Sequence, residues 1–376
     1  MTSVSLRHGW TAAALTGVLA LGLAACGGDG SDGGSTDGPI RIGSSLPLTG
    51  EFSQPGQAAE QGYKVWQEMV NESGGILGRD VDLVIKDDAS NQNTIVADYN
   101  ALISQDKVDL LLGTFSSLLN LPASAVAEKS QMLYVEPASG SPEMFSRGFK
   151  YLFFAQQATA DKQGKVFAEY IAGLPEGERP KTAAYPTIDD PFAAPNVEGI
   201  RTILEAAGIE TVYQETYAID TKNFDTIVTS MKAADPDMVV HGAVFEDGIG
   251  LTRAMLKAGF TPDWFYETSA PSLGAQYSDA IGIENTEGVL FAISHAPTAD
   301  TPGNAEFVAK YKEMYDGNEP PEDAADAFAA GQVMQAAAEA VGSIDDQEAM
   351  ANWLRENEVE TILGPLSWDK TGAPQG

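Results

Sequence analysis

The sequence predicts an α/β protein in which parallel sheets form two similar lobes. From Ile40 onward, short apolar runs alternate with stretches of helical periodicity, a pattern typical of right-handed βαβ units. The same alternation restarts after Lys181, which indicates a second lobe. The chain has 376 residues, enough for two domains of ordinary size.

The first forty residues indicate export. A basic start is followed by an apolar run at 11–23, which is shorter than the ~20 residues of a membrane-spanning helix. Cys26, the only cysteine, follows small residues and resembles the lipidated cysteine of bacterial lipoproteins. We therefore expect a lipoprotein signal peptide at 1–25 and a flexible linker at 26–39 after a lipidated Cys26. An ordinary signal peptide with an incidental cysteine, or an uncut anchor, is the alternative.

The elements follow in chain order from this pattern. The short apolar runs predict strands at 40–46, 81–87, 108–112, 132–135, 182–185, 211–218, 238–241, 264–266 and 288–293. The periodic stretches between them predict helices at 57–71, 94–105, 122–129, 161–172, 193–207, 224–233, 247–258, 304–315, 324–341 and 346–357. Because strands and helices alternate, we expect the sheets to be parallel.

The charge of the chain excludes some partners. Its formal net charge is -32, which repels nucleic acid and anionic lipid. We interpret the acidity as a solvated surface facing the outside of the cell, with an acidic docking patch as the alternative. With a single cysteine the protein can form no intramolecular disulfide, so its stability must come from the core.

The loops after the predicted strands are the place to look for a ligand. In open α/β sheets ligands bind outside the carboxyl ends of the strands. These loops are rich in serine, threonine and glycine, and they lie at 47–56, 113–122, 136–142, 186–192, 242–247 and 267–271. Hydroxyls and free N–H groups at helix N-termini are a common way to hold a carboxylate.

Signals of catalysis or of metal binding are weak. No serine lies in a Gly-x-Ser-x-Gly motif, and His241 and His295 are the only histidines after the signal peptide. Two separated histidines and one cysteine give no zinc signature. The aspartate pairs at 87–88 and 189–190 lack EF-hand spacing. We expect no enzymatic activity, no metal and no cofactor.

Several motifs carry a resemblance to a known family. Pro-Leu-Thr-Gly at 47–50, Asn-Glu-Ser-Gly-Gly-Ile at 71–76, Pro-Ala at 137–138 and Gly-Pro-Leu-Ser-Trp-Asp at 364–369 occur in order. Together they resemble the type I periplasmic binding proteins, specifically the substrate-binding lipoproteins of branched-chain amino acid ABC transporters. The resemblance covers the chain from Ile40 to Asp369.

The resemblance implies two Rossmann-like lobes joined by three crossover strands. The crossovers are expected near 154–159, 293–297 and 363–366. Lobe 1 would then comprise 40–156 and 294–363. Lobe 2 would comprise 157–293 and 364–376.

The resemblance also implies site residues by position. Ser117 matches the serine that binds the ligand's carboxylate, and Ala138 matches the alanine whose backbone assists. The acid that neutralises the ammonium falls on Thr268, with Glu267 one place away, and a first-loop aromatic is replaced by Pro55. The full set of expected ligand-binding residues is Phe115, Ser116, Ser117, Ala138, Ser139, Gly140, Phe192, Phe245, Glu267 and Thr268. Core packing for the phenylalanines and a helix N-cap role for Ser117 are the alternatives.

The function implied is solute capture for an ABC importer. The protein would bind a small polar solute, such as a branched-chain amino acid or a related carboxylate or amide, by closing its lobes. Its partners would be the permease subunits and, through the lipid, the outer face of the cell membrane, and we expect a monomer. A sensor or receptor accessory protein of the same fold, or an importer component for aromatic acids, is the alternative.

Overall fold

The computed structural model describes residues 38–375, which contain two five-stranded parallel sheets. The first sheet consists of β1 (Ile40–Leu46), β2 (Val81–Asp87), β3 (Leu110–Leu112), β4 (Tyr134–Glu136) and β5 (Leu152–Phe154). The second consists of β6 (Thr182–Ile188), β7 (Glu210–Tyr217), β8 (Met238–His241), β9 (Trp264–Glu267) and β10 (Val289–Leu290). All pairings within both sheets are parallel.

The two sheets have the same topology. Their strand orders are β2-β1-β3-β4-β5 and, read from the corresponding edge, β7-β6-β8-β9-β10. Each is the order of a doubly wound fold, in which the second strand is added on one side of the first strand and the later strands are added on its other side. The predicted α/β fold with two parallel-sheet lobes is therefore confirmed.

Helices cover the faces of both sheets. In chain order they are α1 (Ser53–Glu72), α2 (Gln92–Ser104), α3 (Ser117–Ser130), α4 (Pro142–Ser146), α5 (Ala160–Gln163), α6 (Lys165–Gly173), α7 (Ala193–Ala206), α8 (Asp225–Ala234), α9 (Phe245–Lys257), α10 (Ala275–Ile281), α11 (Asn304–Met314), α12 (Glu322–Val341) and α13 (Gln347–Glu356). Short 3-10 helices lie at Ala270–Leu273 and Ile283–Asn285. Among the helices of residues 38–375, none has the length and apolar character needed to cross a membrane.

Helix α12 returns to the first lobe and packs closely against α1. Two glycines permit this approach: a Cβ on Gly62 would lie 2.0 Å from the carbonyl oxygen of Ala324, and one on Gly331 would lie 2.3 Å from the ring of Trp66. Most of α12 is buried in the lobe 1 core. The backbone contact at Gly62 fixes the position of the first turn of α12.

Three chain segments meet where the crossovers were expected. The side-chain nitrogen of Gln157 donates to the carbonyl oxygens of Ser294 and Leu363, both at 3.0 Å. Leu363 lies in the turn between two short antiparallel strands, β11 (Val359–Thr361) and β12 (Gly364–Leu366). One amide therefore ties together the segments at 155–159, 291–297 and 359–366.

The end of the chain differs from its predicted place. Residues 364–376 were assigned to lobe 2, but Leu366 and Trp368 belong to the lobe 1 core. The indole N–H of Trp368 donates to the carbonyl oxygen of Phe154 at 2.7 Å, and the N–H of Phe154 donates to Gly372 at 3.3 Å. The described part of this segment therefore covers the outer edge of β5.

Other differences from the predicted elements are local. The strand β5 and the helices α4 and α10 were not predicted, and the predicted helix at 161–172 is divided into α5 and α6 at Gly164. The expected signal peptide at 1–25, the lipidated Cys26 and all but the last two residues of the linker lie outside the described residues.

Candidate functional site

Two loops of lobe 1 meet at the carboxyl ends of β3 and β4. An isolated parallel bridge pairs Phe115, which follows β3, with Ala138, which follows β4. The backbone N–H groups of Ser139 and Gly140 donate to no backbone carbonyl of the described chain. The bridge thus holds polar backbone groups beside the N-terminus of α3.

Ser116 occupies an unusual backbone conformation at the start of α3. Its φ of 72° and ψ of 144° lie in a region that non-glycine residues rarely adopt. Its Oγ caps the helix by accepting a hydrogen bond from the N–H of Leu119 at 3.3 Å. Strain of this kind concentrates at functional sites.

Ser117 lies behind the surface of the site. Its side chain is fully buried, and its Oγ accepts hydrogen bonds from the N–H of Ser141 at 3.1 Å and from the hydroxyl of Ser139 at 3.4 Å. Ser117 therefore joins the two loops, because its hydroxyl is hydrogen-bonded to Ser139 and Ser141 of the loop after β4. Ser117 was expected to contact the ligand directly, whereas in the structure it is buried and does not line the cavity.

A narrow cavity lies between the two lobes, and the centre of a water-sized sphere can occupy about 60 Å³ of it. Its lobe 1 wall consists of Phe115, Ser116, Ala138, Ser139, Gly140, Phe154, Gln156, Glu322, Asp323 and Asp326. Its remaining wall consists of Gln163, Asp190, Phe192, Val244, Thr268, Ser269, Ser272 and Ala292. The strand ends of both sheets therefore contribute to one space.

The predicted residues divide into two groups. Seven of them line the cavity: Phe115, Ser116, Ala138, Ser139, Gly140, Phe192 and Thr268. The other three, Ser117, Phe245 and Glu267, do not line it. Thr268 lines the cavity, but its hydroxyl accepts from the backbone N–H of Ala243 at 2.9 Å and donates to the carbonyl oxygen of Ala243 at 2.7 Å.

Glu267 belongs to a buried network in lobe 2. One of its oxygens pairs with Nδ1 of His241 at 2.9 Å and accepts from Thr252 at 3.3 Å, and the other accepts from the hydroxyl of Tyr277. The side chains of Glu267 and His241 have no exposed surface. Glu267 was expected to bind the ammonium group of the ligand. In the structure it does not line the cavity, and both of its carboxylate oxygens already have hydrogen-bonding partners within the protein.

Phe245 packs at a contact between the lobes. It clusters with Ile249, Leu273 and Tyr277 of lobe 2 and with Ala58 from α1 of lobe 1. Its ring therefore occupies an apolar interface, as the core-packing alternative expected.

The acidic end of the cavity was missed by the sequence analysis. Glu322 and Asp323 lie in the first turn of α12, and Asp326 follows one turn later. The N–H and hydroxyl of Ser294 donate to one oxygen of Glu322 at 2.7 and 2.8 Å. The same hydroxyl lies 2.6 Å from one oxygen of Asp326, although its single proton can be donated to only one of the two acids at a time, and the other oxygen of Asp326 accepts from Gln156 at 2.6 Å.

Burial dominates the electrostatics of these carboxyl groups. It raises the pKa of Glu322 to about 7 and that of Asp323 to about 8, and it raises the pKa of Asp326 well above its usual range. Burial also raises the pKa of Asp190, opposed by the N–H groups of Phe192 and Ala193. The carboxyl groups that line the cavity are therefore buried from solvent, and no described lysine or arginine lines the cavity beside them.

A signal for this acidic end was present in the sequence. Helix α12 was predicted to start at residue 324, which left Glu322 and Asp323 in a loop that follows no strand. A search limited to loops after strands could not include them. The useful signal was the position of Asp326, an acid in an otherwise alanine-rich stretch that a core helix would bury.

The lobes also touch at the rim of the cleft. Lys222 of lobe 2 pairs with Glu51 of lobe 1, and both side chains are largely exposed. Together with the apolar cluster that contains Phe245 and Ala58, this pair links the two lobes.

Comparisons with known proteins agree with this architecture. Residues 39–375 match the family model described as periplasmic binding protein. An amino acid binding protein of Pseudomonas aeruginosa is 28% identical over 333 residues, 89% of this chain and 87% of that protein. A leucine-binding protein of Thermotoga maritima has a similar fold, with a TM-score of 0.78 and 23% identity over 89% of this chain and 93% of that one. A solute-binding protein of an ABC transporter from R. palustris, solved with benzoate, has a TM-score of 0.80 and 19% identity over 90% of this chain and 91% of that one.

Proposed function

Because the chain belongs to the periplasmic binding protein family, we propose that it is the extracytoplasmic solute-binding protein of an ABC importer. It captures one small polar solute between its lobes and presents the closed form to the permease. The proposed solute is an amino acid, of the branched-chain type or a related one, or a related carboxylate or amide.

The observation that carries this proposal is the cavity between the lobes. It is lined from both sheets, at the strand ends where α/β proteins bind ligands. A solute held there touches both lobes, so its binding energy favours the closed arrangement over the open one. Capture and closure are then the same event.

Residues of the lobe 1 loops suit a carboxylate or another polar acceptor. The hydroxyls of Ser116 and Ser139 line the cavity, and the free N–H groups of Ser139 and Gly140 lie beside the N-terminus of α3. Ser117 positions this group by joining the two loops. Phe115 and Phe192 supply apolar surface for the rest of the solute.

The relatives support an amino acid, and one neighbour supports a second candidate. The Pseudomonas aeruginosa relative is named for amino acid binding and the Thermotoga maritima structure for leucine. The R. palustris structure holds benzoate. Phe115, Phe154 and Phe192 would flank an aromatic acid, but no described lysine or arginine lines the cavity to balance a solute whose only charge is negative.

The anchor is proposed from the sequence. We propose that Cys26 is lipidated and tethers a monomeric protein to the outer face of the membrane. Cys26→Ser should leave the protein unprocessed or release it from the membrane fraction. An unchanged membrane fraction, with no lipid mass on the N-terminal peptide, would contradict the anchor.

Native mass spectrometry of the purified full chain tests the ligand. We expect a co-purified mass of amino acid size that is lost on mild denaturation. Small-angle scattering with and without that solute should show a smaller radius of gyration when it is bound. A saturating solute that leaves the scattering unchanged would contradict closure.

A further inference from the structure

The charged and titratable side chains that line the cavity are all acids. Asp190, Glu322, Asp323 and Asp326 all line it, and no described lysine or arginine does. The acids come from both lobes, because Asp190 follows β6 while the other three lie on α12. A buried carboxylate is normally paired with a cation or fully hydrogen-bonded.

Among the described residues, two of these acids have a carboxylate oxygen without a hydrogen-bonding partner, and a third has only its own backbone N–H as a partner. One oxygen of Asp190 caps α7 through the N–H groups of Phe192 and Ala193, while the other is buried without a partner in the described chain. One oxygen of Glu322 binds Ser294, and the other is likewise buried and unpartnered among residues 38–375. Asp323, only 7% exposed, receives a hydrogen bond from its own backbone N–H.

Stabilisation of a helix end does not account for this arrangement. Acids in the first turn of a helix do favour the macrodipole, by a small amount at exposed sites. Here burial raises the pKa of Glu322 and Asp323, so ionising them in the empty cleft costs free energy. Asp190 lies on another lobe and cannot serve α12 in this way.

We infer that the cleft selects a solute with more protonated amino groups than carboxylates, and that Glu322, Asp323 and Asp190 hold one of its ammonium groups. This inference rests on the proposed function, because it names the charge class of the solute captured in the same cavity. An ammonium brings three N–H donors, which suits several unused acceptors on one cavity. A solute of this class keeps a positive charge even after its own carboxylate is counted.

A neutral zwitterion would use the site less well. Its carboxylate would balance its ammonium inside the cleft and leave the acids with no net compensation. A basic amino acid or a diamine supplies the missing charge, and a carboxylate on the former is still accommodated beside Ser116 and Ser139. The apolar part of the chain lies against Phe115 and Phe192.

Matched pairs of amino acids test this selection. Isothermal titration calorimetry of the full chain, freed of co-purified solute, would compare 2,4-diaminobutyrate with 2-aminobutyrate, ornithine with norvaline, and lysine with norleucine. The members of each pair differ only by a terminal amino group. We expect the diamino member of at least one pair to bind 10-fold tighter or more. Equal or weaker binding of the diamino member in every pair would overturn the inference.

Isosteric variants test the residues. Asp323→Asn and Glu322→Gln should each reduce the diamino preference to less than 3-fold, and Asp190→Asn, which still caps α7, should weaken it. Glu348→Gln is the matched control, since Glu348 is an exposed acid in the first turn of α13. An unchanged preference in all three cleft variants would overturn the assignment.

Failure of the proposed amino acid ligand gives a different result from failure of the ammonium site. If none of the six amino acids binds, the proposal of an amino acid fails, and 1,4-diaminobutane then tests the inference alone. Binding of the diamine that weakens 10-fold in Asp323→Asn would support the ammonium site. No binding of the diamine would overturn it.

Discussion

Glu267 and Glu322 are both buried glutamates near the cleft, and their surroundings are opposite. The carboxylate of Glu267 is enclosed by His241, Thr252 and Tyr277, so both of its oxygens have protein partners. One oxygen of Glu322 is bound by Ser294, and the other has no partner in the described chain. A satisfied carboxylate stabilises a fold, whereas an unsatisfied one beside a cavity leaves a place for a ligand.

The comparison also explains why sequence position alone does not identify an available acid. The resemblance placed the ammonium partner at Glu267 or Thr268, where the carboxylate and the hydroxyl are already used within lobe 2. The free acidic oxygens lie on α12 and after β6 instead. Whether a buried acid is available to a ligand depends on the residues that surround it in the fold, and a single sequence does not show which residues these are.

The largest expected effect comes from breaking the satisfied group. Glu267→Ala should lower the free energy of unfolding by about 3–5 kcal/mol, because it leaves His241 and Tyr277 buried without their partner. Urea titration followed by circular dichroism measures this loss, with the exposed Glu210→Ala as the control. Wild-type stability combined with lost solute binding would instead make Glu267 a ligand residue.

A smaller loss is expected from the satisfied hydroxyl of lobe 1. Ser117→Ala should cost about 1–3 kcal/mol, since the buried N–H of Ser141 loses its acceptor. The same measurement applies, and solute affinity should fall with it because the two loops are no longer joined. Exposed Ser146→Ala should change neither quantity. Lost affinity at full stability would mean that Ser117 contacts the solute directly.

The unsatisfied acids should respond in the opposite direction. The folded state holds protons on Asp323 and Glu322 up to a pH of about 8 and about 7, whereas the unfolded chain releases them near pH 4. The ligand-free protein should therefore lose stability as the pH rises across this window. Asp323→Asn should raise Tm at pH 8 by about 2–4 °C and change it little at pH 4.

Other charged groups contribute to that profile. Asp326 lies on the same helix, Lys162 and Lys165 line the groove that adjoins Glu322, and His295 lines another. The difference between wild type and Asp323→Asn isolates the one carboxyl group. A variant less stable than wild type at pH 8, measured by differential scanning calorimetry, would contradict the reading of Asp323 as an unsatisfied acid.

The smallest effect is expected where a carboxylate is exposed. Lys222→Met removes the partner of Glu51 at the rim of the cleft, where the side chains are 64% and 47% exposed. Exposed ion pairs contribute less than about 1 kcal/mol, and salt screens them. Calorimetric titration of the solute at low and high salt should therefore show less than a 3-fold difference from wild type. A larger loss would assign closure to the rim instead of the cavity.

The sequence predicted the fold well because periodic patterns are local. The strands at 40–46, 81–87 and 238–241 match their observed bounds, since each contains a short cluster of β-branched or other apolar residues. The three-residue strand β5 was not predicted. Most of the wall formed by the loops after β3 and β4 was predicted for the same local reason.

The acidic wall could not be predicted from the same patterns. Glu322 reaches the cavity because the chain returns from lobe 2 to lobe 1 and α12 then packs against Gly62, a long-range contact that leaves no periodic pattern in the sequence. Asp190 is likewise buried and accepts from the N–H groups of Phe192 and Ala193, whereas its neighbour Asp189 is exposed, a difference that two adjacent aspartates in a sequence do not reveal.

The covering of β5 by the last described residues has a consequence for handling the protein. An outer strand with free N–H and C=O groups is a template on which a second copy can add a strand. Here Gly372 and the indole of Trp368 occupy the backbone groups of Phe154. Removing residues after 366 would uncover this template, so a shortened form should self-associate during expression even though its cleft is untouched.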